Sequence, residues 1–426
     1  MPELRLFDQI IPVAQQHDAA VFWIDNADDL ATAISILESA ELLALDTEFI
    51  RVGTFYPSLA LIQIYDGRQC FLIDPLAELD LTSLTSIFLA ENCVKAMHAA
   101  SEDIEIFHMV GLPTPTPLFD TQLAELFDPS EAQGAGLQAL VSYHLQIDID
   151  KGETRSDWLQ RPLSAAQLNY AVADVIYLFA LAAHRLDTLS QDAGSQRRLA
   201  LCFEEAQQRY PVPEKRRNAE FEMKDFKDYY LGMRKAFALP PPSQRILQEL
   251  AAWREVEARE RNIARKKICD DDLLMVMAKE QIHAPDGLHR VRRMGQKFNG
   301  LRRYGPTLVA LTAKAMDEGP GEAFRLITPP LPKSFKQVVK QVKAHIAEVA
   351  AREGIAPEIL AGRKQIEELV LWVNRAHIPA GVRAEDGDAI ALTSGWRGDL
   401  LMPDIIEISR LDASSGSAST GSGTSE

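Results

Sequence analysis

Between Ala19 and Ala99 the chain carries five short apolar runs of β type, AAVFWI, LLALDTEF, SLALIQIY, QCFLID and VKAMHA, with helical stretches such as Asp28 to Ser39 between them. Short strand patterns interleaved with helical ones predict an α/β layer and leave little room for another architecture. The second run is unusual because two acids interrupt it. Asp46 and Glu48 lie two apart in a segment that otherwise reads as a buried strand, and the period-two geometry of a strand points both carboxylates to one face. Two hard oxygen ligands are thereby set side by side.

A second pair follows later. Tyr170 and Asp174 are four apart in a stretch whose apolar residues (Leu168, Ala171, Val172, Val175, Ile176, Leu178) have helical spacing, which stacks the phenol and the carboxylate on one helix face. Asp103, in the phrase HAASEDIEIF from His98 to Phe107, completes a set of four acids and one tyrosine. Such acids cannot all stay ionised in one pocket, because like charges a few ångströms apart raise one another's pKa. Two divalent cations, Mg²⁺ or Mn²⁺, would resolve the conflict. Held about 3.5 to 4 Å apart, such ions activate a water and stabilise the attacking and leaving oxygens of an in-line phosphoryl displacement. Tyr170, with an ordinary pKa near 10, suits orienting that water or relaying its proton better than acting as a free phenolate base.

The 426 residues, 46% hydrophobic and 25% charged, predict two or three domains. The expected order is an N-terminal extension (1–18), an α/β domain (19–206), a proline-marked linker arm (207–243), a helical domain (244–318), a Gly/Pro linker (319–332), a second helical domain (333–411) and a disordered Ser/Gly/Thr tail (412–426). Asp270 to Asp272 read as an N-terminal helix cap. Four scattered cysteines without CxxC spacing predict packed, reduced thiols rather than a zinc site or a disulfide framework. No run approaches the roughly 18 apolar residues of a membrane span, and MPELRLFDQIIP lacks signal-peptide order, so the expected location is cytoplasmic.

The net charge of −16 argues against a nucleic-acid partner only on average. From Ala251 to Ala310 there are 13 Lys and Arg against 8 Asp and Glu, a local +5 that leaves −21 on the rest.

The ordered phrases DTEF, HAASEDIE and YAVAD resemble those of the DEDDy exonucleases, and KGETRSDW before the last narrows the resemblance to the ribonuclease D family. AWREVEARERN and the terminal GWRGDLL resemble the helicase-and-RNase-D C-terminal (HRDC) domains of that family. The resemblance implies a ribonuclease H-like α/β exonuclease domain, its mixed sheet flanked by helices, followed by two small all-α HRDC domains. It implies a metal-dependent 3′ to 5′ exoribonuclease that trims tRNA precursors and other small structured RNAs. By position Asp46, Glu48, Asp103 and Asp174 would be metal ligands, with Tyr170 on the water. Only the motif selects Asp103 over its neighbours Glu102 and Glu105.

RNA contacts have candidates in three places. Phe49 and Tyr56 flank the acidic strand and could stack on a terminal base or simply pack. Lys151, Arg155 and Trp158, in the polar loop before Tyr170, could touch a phosphate and a base, or form a surface loop anchored by a buried Trp. Arg292, Arg293, Lys297, Arg302 and Arg303, interleaved with Phe298 and Tyr304, could grip an RNA backbone or be a solvated helix face. His98 reads as a satisfied core histidine. The alternatives to an RNA enzyme are a DNA 3′ to 5′ exonuclease, since such a site is indifferent to the sugar, and a catalytically silent RNA-binding scaffold. No membrane and no obligate protein partner is indicated.

Overall fold

A computed structural model describes residues 4, 11–132, 134, 136–149, 152–153, 156–210, 220–293, 300–319, 321, 324–374 and 392–410. The chain divides into two compact units, one of residues 1–52, 57–219 and 354–356, the other of 53–56, 220–353 and 357–426.

The first unit is built on a six-stranded sheet of β1 (Ala20–Ile24), β2 (Leu42–Ile50), β3 (Ser58–Tyr65), β4 (Gln69–Ile73), β5 (Val94–Met97) and β6 (Leu118–Asp120), in the order β1-β4-β3-β2-β5-β6. The sheet is mixed: β3 runs antiparallel to β2 and β4, whereas β1 pairs with β4, β2 with β5 and β5 with β6 in parallel. The five runs read from sequence are its first five strands. The sixth, only three residues long, falls below the length at which alternation can be read.

Around the sheet lie α1 (Pro12–Gln16), α2 (Ala27–Leu37), α3 (Thr85–Phe88), α4 (Ser101–Met109), α5 (Thr121–Phe127), α6 (Leu137–Leu145), α7 (Ala165–Thr188) and α8 (Ala193–Arg209). α7 is the central one. Its Leu168, Ala171, Val172, Val175 and Ile176 share a buried cluster with Ala44 of β2, Leu61 and Tyr65 of β3 and Leu72 of β4. α7 is also long and apolar enough to cross a membrane, but it is the core helix of this layer, with thirteen of its residues buried. Its first turn is closed by a capping box, in which Gln167 N–H donates to Ser164 Oγ at 3.2 Å and Ser164 N–H to Gln167 Oε1 at 3.0 Å.

The second unit is helical: α9 (Pro241–Glu260), α10 (Arg265–Ile268), α11 (Asp271–Lys279), α12 (Pro285–Arg293), α13 (Leu301–Glu318), α14 (Lys336–Glu353), α15 (Pro357–Leu360), α16 (Arg363–Val373), α17 (Gly395–Leu401) and α18 (Asp404–Ile408). Ile246, Leu250, Leu273, Met277 and Leu308 share one of its cores. The cap read from sequence is present, Asp270 Oδ1 accepting from Leu273 N–H at 2.9 Å. Gly300 precedes α13 at φ +81°, where a Cβ would lie 1.8 Å from Ile268 O, so no other residue fits.

Lys95, on β5, is fully buried, and its ammonium group donates to Ala90 O at 2.7 Å, Cys93 O at 2.7 Å and Thr116 O at 2.5 Å. Three donors meet three carbonyls of the segments that lead into β5 and β6, which ties those two segments together at one end of the sheet; burial pulls the ammonium pKa down to about 8. Lys95→Met should therefore destabilise the protein by about 3 kcal/mol, because it strands buried acceptors. Urea unfolding at neutral pH measures this, and a loss below ~1 kcal/mol would show that the carbonyls find other partners.

Candidate metal centre

β2 pairs with β3 in a register that sets Asp46 opposite Gln63 and Glu48 opposite Leu61, and the ladder shifts just after Glu48. The shift ends regular pairing beside the acids, where a strand can re-aim its side chains. α7 crosses this face and brings Asp174. Carboxylate oxygens of Asp46, Glu48 and Asp174 all lie within 4.8 Å of one another, with Asp174 buried and the other two partly so. Tyr170, one turn earlier on α7, donates its hydroxyl proton to the Asp174 carboxylate.

Asp103 stands outside that trio. It sits in the first turn of α4, where the helix dipole favours an acid, and it is buried with its Oδ1 accepting from the Thr47 hydroxyl. Its charge nonetheless reaches Asp46 and Glu48.

The electrostatics follow from burial and repulsion together. Desolvation, then Asp103, Asp174 and Glu48, hold the Asp46 carboxyl well above the usual carboxylate range. Glu48 is pushed up to about 9 by burial, Asp174 and Asp103. Asp174 rises to about 7 by burial, against the Tyr170 hydrogen bond, and Asp103 to about 6 by burial, against that from Thr47. Among the described residues no Lys or Arg pairs with any of the four. The Gln63 carboxamide, cross-strand from Asp46 and fully buried, has no protein hydrogen-bond partner. Hard carboxylate oxygens, unpaired and held close with an unsatisfied amide beside them, suit a hydrated divalent cation, Mg²⁺ or Mn²⁺.

The loop before α7 is tied down by Arg161, which makes a bidentate pair with Asp74 (2.8 and 2.7 Å) and donates to Ala60 O at 2.6 Å. Trp158 in that loop is in the core, 1% exposed, its ring 6.0 Å from that of Tyr170. Tyr56 is also buried, with its N–H on Asn262 Oδ1 at 2.9 Å and its ring edge-on to Phe55. Neither ring presents a face for a base to stack on, which corrects that expectation for both. The cause is packing: aromatic rings contribute most by burial unless the loop carrying them is lifted off the core. Phe49 follows Glu48 on β2 and is half-buried. Lys151, Arg155 and Lys297 lie outside the described residues. Arg292, Arg293, Arg302 and Arg303 are exposed, and none of them forms an ion pair among the described residues. His98 is satisfied within the protein, its Nδ1 2.9 Å from Thr121 Oγ1. Thr47 and Gln63 were not legible beforehand: strict alternation sends Thr47 to the face opposite its neighbours, and Gln63 bears no motif.

Comparison with known proteins fits this geometry. Residues 21–188 match the 3′-5′ exonuclease family, 243–312 the HRDC domain, and 333–405 the C-terminal HRDC domain of ribonuclease D. Ribonuclease D of Serratia proteamaculans is 35% identical over 376 residues, covering 86% of this chain and 92% of the relative. Ribonuclease D of Escherichia coli is 32% identical over 384 residues, covering 89% and 95%. The crystal structure of Escherichia coli RNase D superposes with a TM-score of 0.76 at 29% identity, covering 91% of this chain and 97% of that one. The catalytic core of RRP6 from Trypanosoma brucei, 21% identical with a TM-score of 0.52 over 71% and 81% of the two chains, shares the fold. With a 3′-5′ exonuclease domain followed by two HRDC domains, and this identity over nearly its whole length, the chain belongs to the ribonuclease D family.

Proposed function

We propose that this exoribonuclease trims the 3′ ends of tRNA precursors and other small structured RNAs, releasing 5′-mononucleotides with the help of two divalent ions, Mg²⁺ or Mn²⁺. The observation that carries the reading is the unpaired cluster of Asp46, Glu48 and Asp174, with Tyr170 hydrogen-bonded to its edge. Asp46, Glu48 and Asp174 would hold one ion. Asp46 and Asp103 would share the second, since Asp103 lies outside the trio yet acts on Asp46. Bound there, divalent ions would supply a water of lowered pKa and positive charge against a scissile phosphodiester. Tyr170 places a hydroxyl, rather than a base, at the rim of the cluster, where it can orient the attacking water.

RNA as substrate is supported by the Escherichia coli RNase D structure, described as that of an exoribonuclease involved in structured RNA processing. The exposed arginines of the helical unit are suited to backbone phosphates. Arg302 and Arg303 occupy the first turn of α13, where the helix dipole disfavours cations, and no acidic residue accompanies them there. An anion placed at that turn would offset the cost. All four cysteines are buried free thiols, which supports a reducing, cytoplasmic location.

Digestion of a 3′-tailed tRNA precursor, with parallel 2′-deoxy substitutions along the tail, tests the assignment. Release of 5′-mononucleotides that slows at deoxy positions is expected, and equal trimming of both sugars would replace RNA by nucleic acid in general. Asp174→Ala should lower turnover by about a thousandfold while RNA affinity stays within about threefold, because a ligand is lost and no phosphate contact. Tyr170→Phe should slow turnover by ~10²-fold and spare metal affinity, so weakened Mn²⁺ binding would contradict its place on the water.

Folded-state pKa values near 9 for Glu48, 7 for Asp174 and 6 for Asp103 exceed the ordinary 4.5, 3.8 and 3.8. The metal-free native protein thus keeps protons that the unfolded chain has released, so its stability is greatest at low pH within this window and falls as pH rises towards 9. Ions must displace those protons. The rise in Tm on adding Mg²⁺ should therefore grow from pH 6 to pH 9, and a rise independent of pH would show that the carboxyls are already ionised.

A further inference from the structure

Asp120, at the end of β6, is 1% exposed and belongs to no carboxylate cluster at the metal centre. Its two oxygens collect five donors. Oδ1 accepts from Ala99 N–H at 3.0 Å, Gln122 N–H at 2.9 Å and Leu123 N–H at 3.3 Å, and Oδ2 from Ala100 N–H at 3.1 Å and the Tyr210 hydroxyl at 2.7 Å. Gln122 and Leu123 belong to the first turn of α5, so two of the bonds are an ordinary N-terminal cap. The other three are not needed for that purpose. Ala99 and Ala100 form the turn from β5 into α4, which ends three residues before Asp103. Tyr210 follows α8 and also engages Ser101, the first residue of α4, through a side-chain hydrogen bond.

The turn needs holding. Ala99 has φ +54°, a left-handed conformation that costs a residue with a Cβ about 1 kcal/mol or more. Hydrogen bonds from consecutive N–H groups to one buried, charged acceptor can hold it there, because charge-assisted bonds are the strong ones. With the turn fixed, α4 starts at one place and Asp103 meets the Thr47 hydroxyl. We infer that Asp120, with Tyr210 locking its outer oxygen, is a positioning residue for Asp103: it sets the start of α4 and thereby the reach of that carboxylate towards the ion shared with Asp46. The inference rests on the reading of Asp103 as a metal ligand given above.

Asp120→Asn keeps the shape but turns one acceptor oxygen into an NH₂ group facing N–H and O–H donors. Two measurements on the metal-free protein decide the matter. Free Mn²⁺, followed by electron paramagnetic resonance during titration, should show a dissociation constant raised about tenfold, the scale seen when partners behind a metal ligand are lost. Amide hydrogen exchange at Ala99 and Ala100 should accelerate by at least about tenfold, while exchange in β2 and β3 is unchanged. In turnover the variant should lose kcat at limiting Mn²⁺, regain it at high Mn²⁺, and keep KM for a 3′-tailed RNA within about twofold. A merely structural residue would not give metal rescue with an unmoved KM.

Wild-type Mn²⁺ affinity in Asp120→Asn, beside weakened binding in an Asp103→Asn control, overturns the inference alone. Wild-type affinity in the Asp103→Asn control overturns the ligand reading and the inference with it. Should Asp120→Asn not fold, Tyr210→Phe removes one donor and leaves the carboxylate, and a two- to threefold rise in the Mn²⁺ dissociation constant with faster exchange at Ala100 is expected. An unmoved constant and unmoved exchange in that variant overturn the proposal equally.

Discussion

Everything at this centre depends on a repulsion that the fold creates and does not itself relieve. Three carboxylates lie within 4.8 Å of one another. At an effective dielectric near 20, each ionised pair at that separation costs about 3 kcal/mol, so full ionisation of the three would cost about as much as the whole stability of an ordinary domain. A structural cluster of that kind would be expected to hold an arginine or lysine. Here the described residues supply none, and burial with mutual repulsion instead raises the affinity of the acids for protons, Glu48 to a pKa of about 9 and Asp174 to about 7. A site that stores its charge as exchangeable protons is set up for cations that displace them.

Rigid supports make this arrangement tolerable. β2 lies inside the sheet between β3 and β5, and α7 is packed along most of its length, so Asp46, Glu48 and Asp174 sit on elements that cannot spread apart without opening the core. Asp103 is supported differently. It comes from a nine-residue helix whose start is set by a turn in a left-handed conformation, and that turn leans on Asp120. The carboxylate outside the trio is thus also the one whose placement depends most on hydrogen bonds rather than on packing.

This difference explains what could be read in the sequence. Asp46 with Glu48, and Tyr170 with Asp174, are local pairs whose relation follows from a two-residue or four-residue period, and both proved to share a face. Five strands were legible because each is at least four residues long and apolar; β6, with three residues, was not. Asp103 could be chosen over Glu102 and Glu105 only by likeness to a family, since its tie to Thr47 spans 56 residues. The Asp120–Tyr210 bond spans 90. Aromatic residues were the other source of error. Tyr56 and Trp158 stand beside catalytic motifs in the chain, but nearness in sequence does not decide whether a ring faces solvent or core, and both rings are buried.

The acidic character of the chain then has a physical resolution. A net charge of −16 repels a polyanion at long range, but at physiological ionic strength charges more than about 8 Å apart are largely screened, so contact is decided by what lies within a Debye length of each phosphate. Around α12 and the start of α13 that is a set of exposed arginines with no acidic partner among the described residues. At the metal centre it is a cluster whose charge changes with its occupant: negative when empty and ionised, close to neutral when protonated, and attractive to phosphate only when divalent ions are bound. On the function proposed above, affinity and chemistry would be carried by different groups: the arginines would hold an RNA whether or not the centre is loaded, whereas the carboxylates would admit its terminal phosphodiester only once ions had replaced their protons.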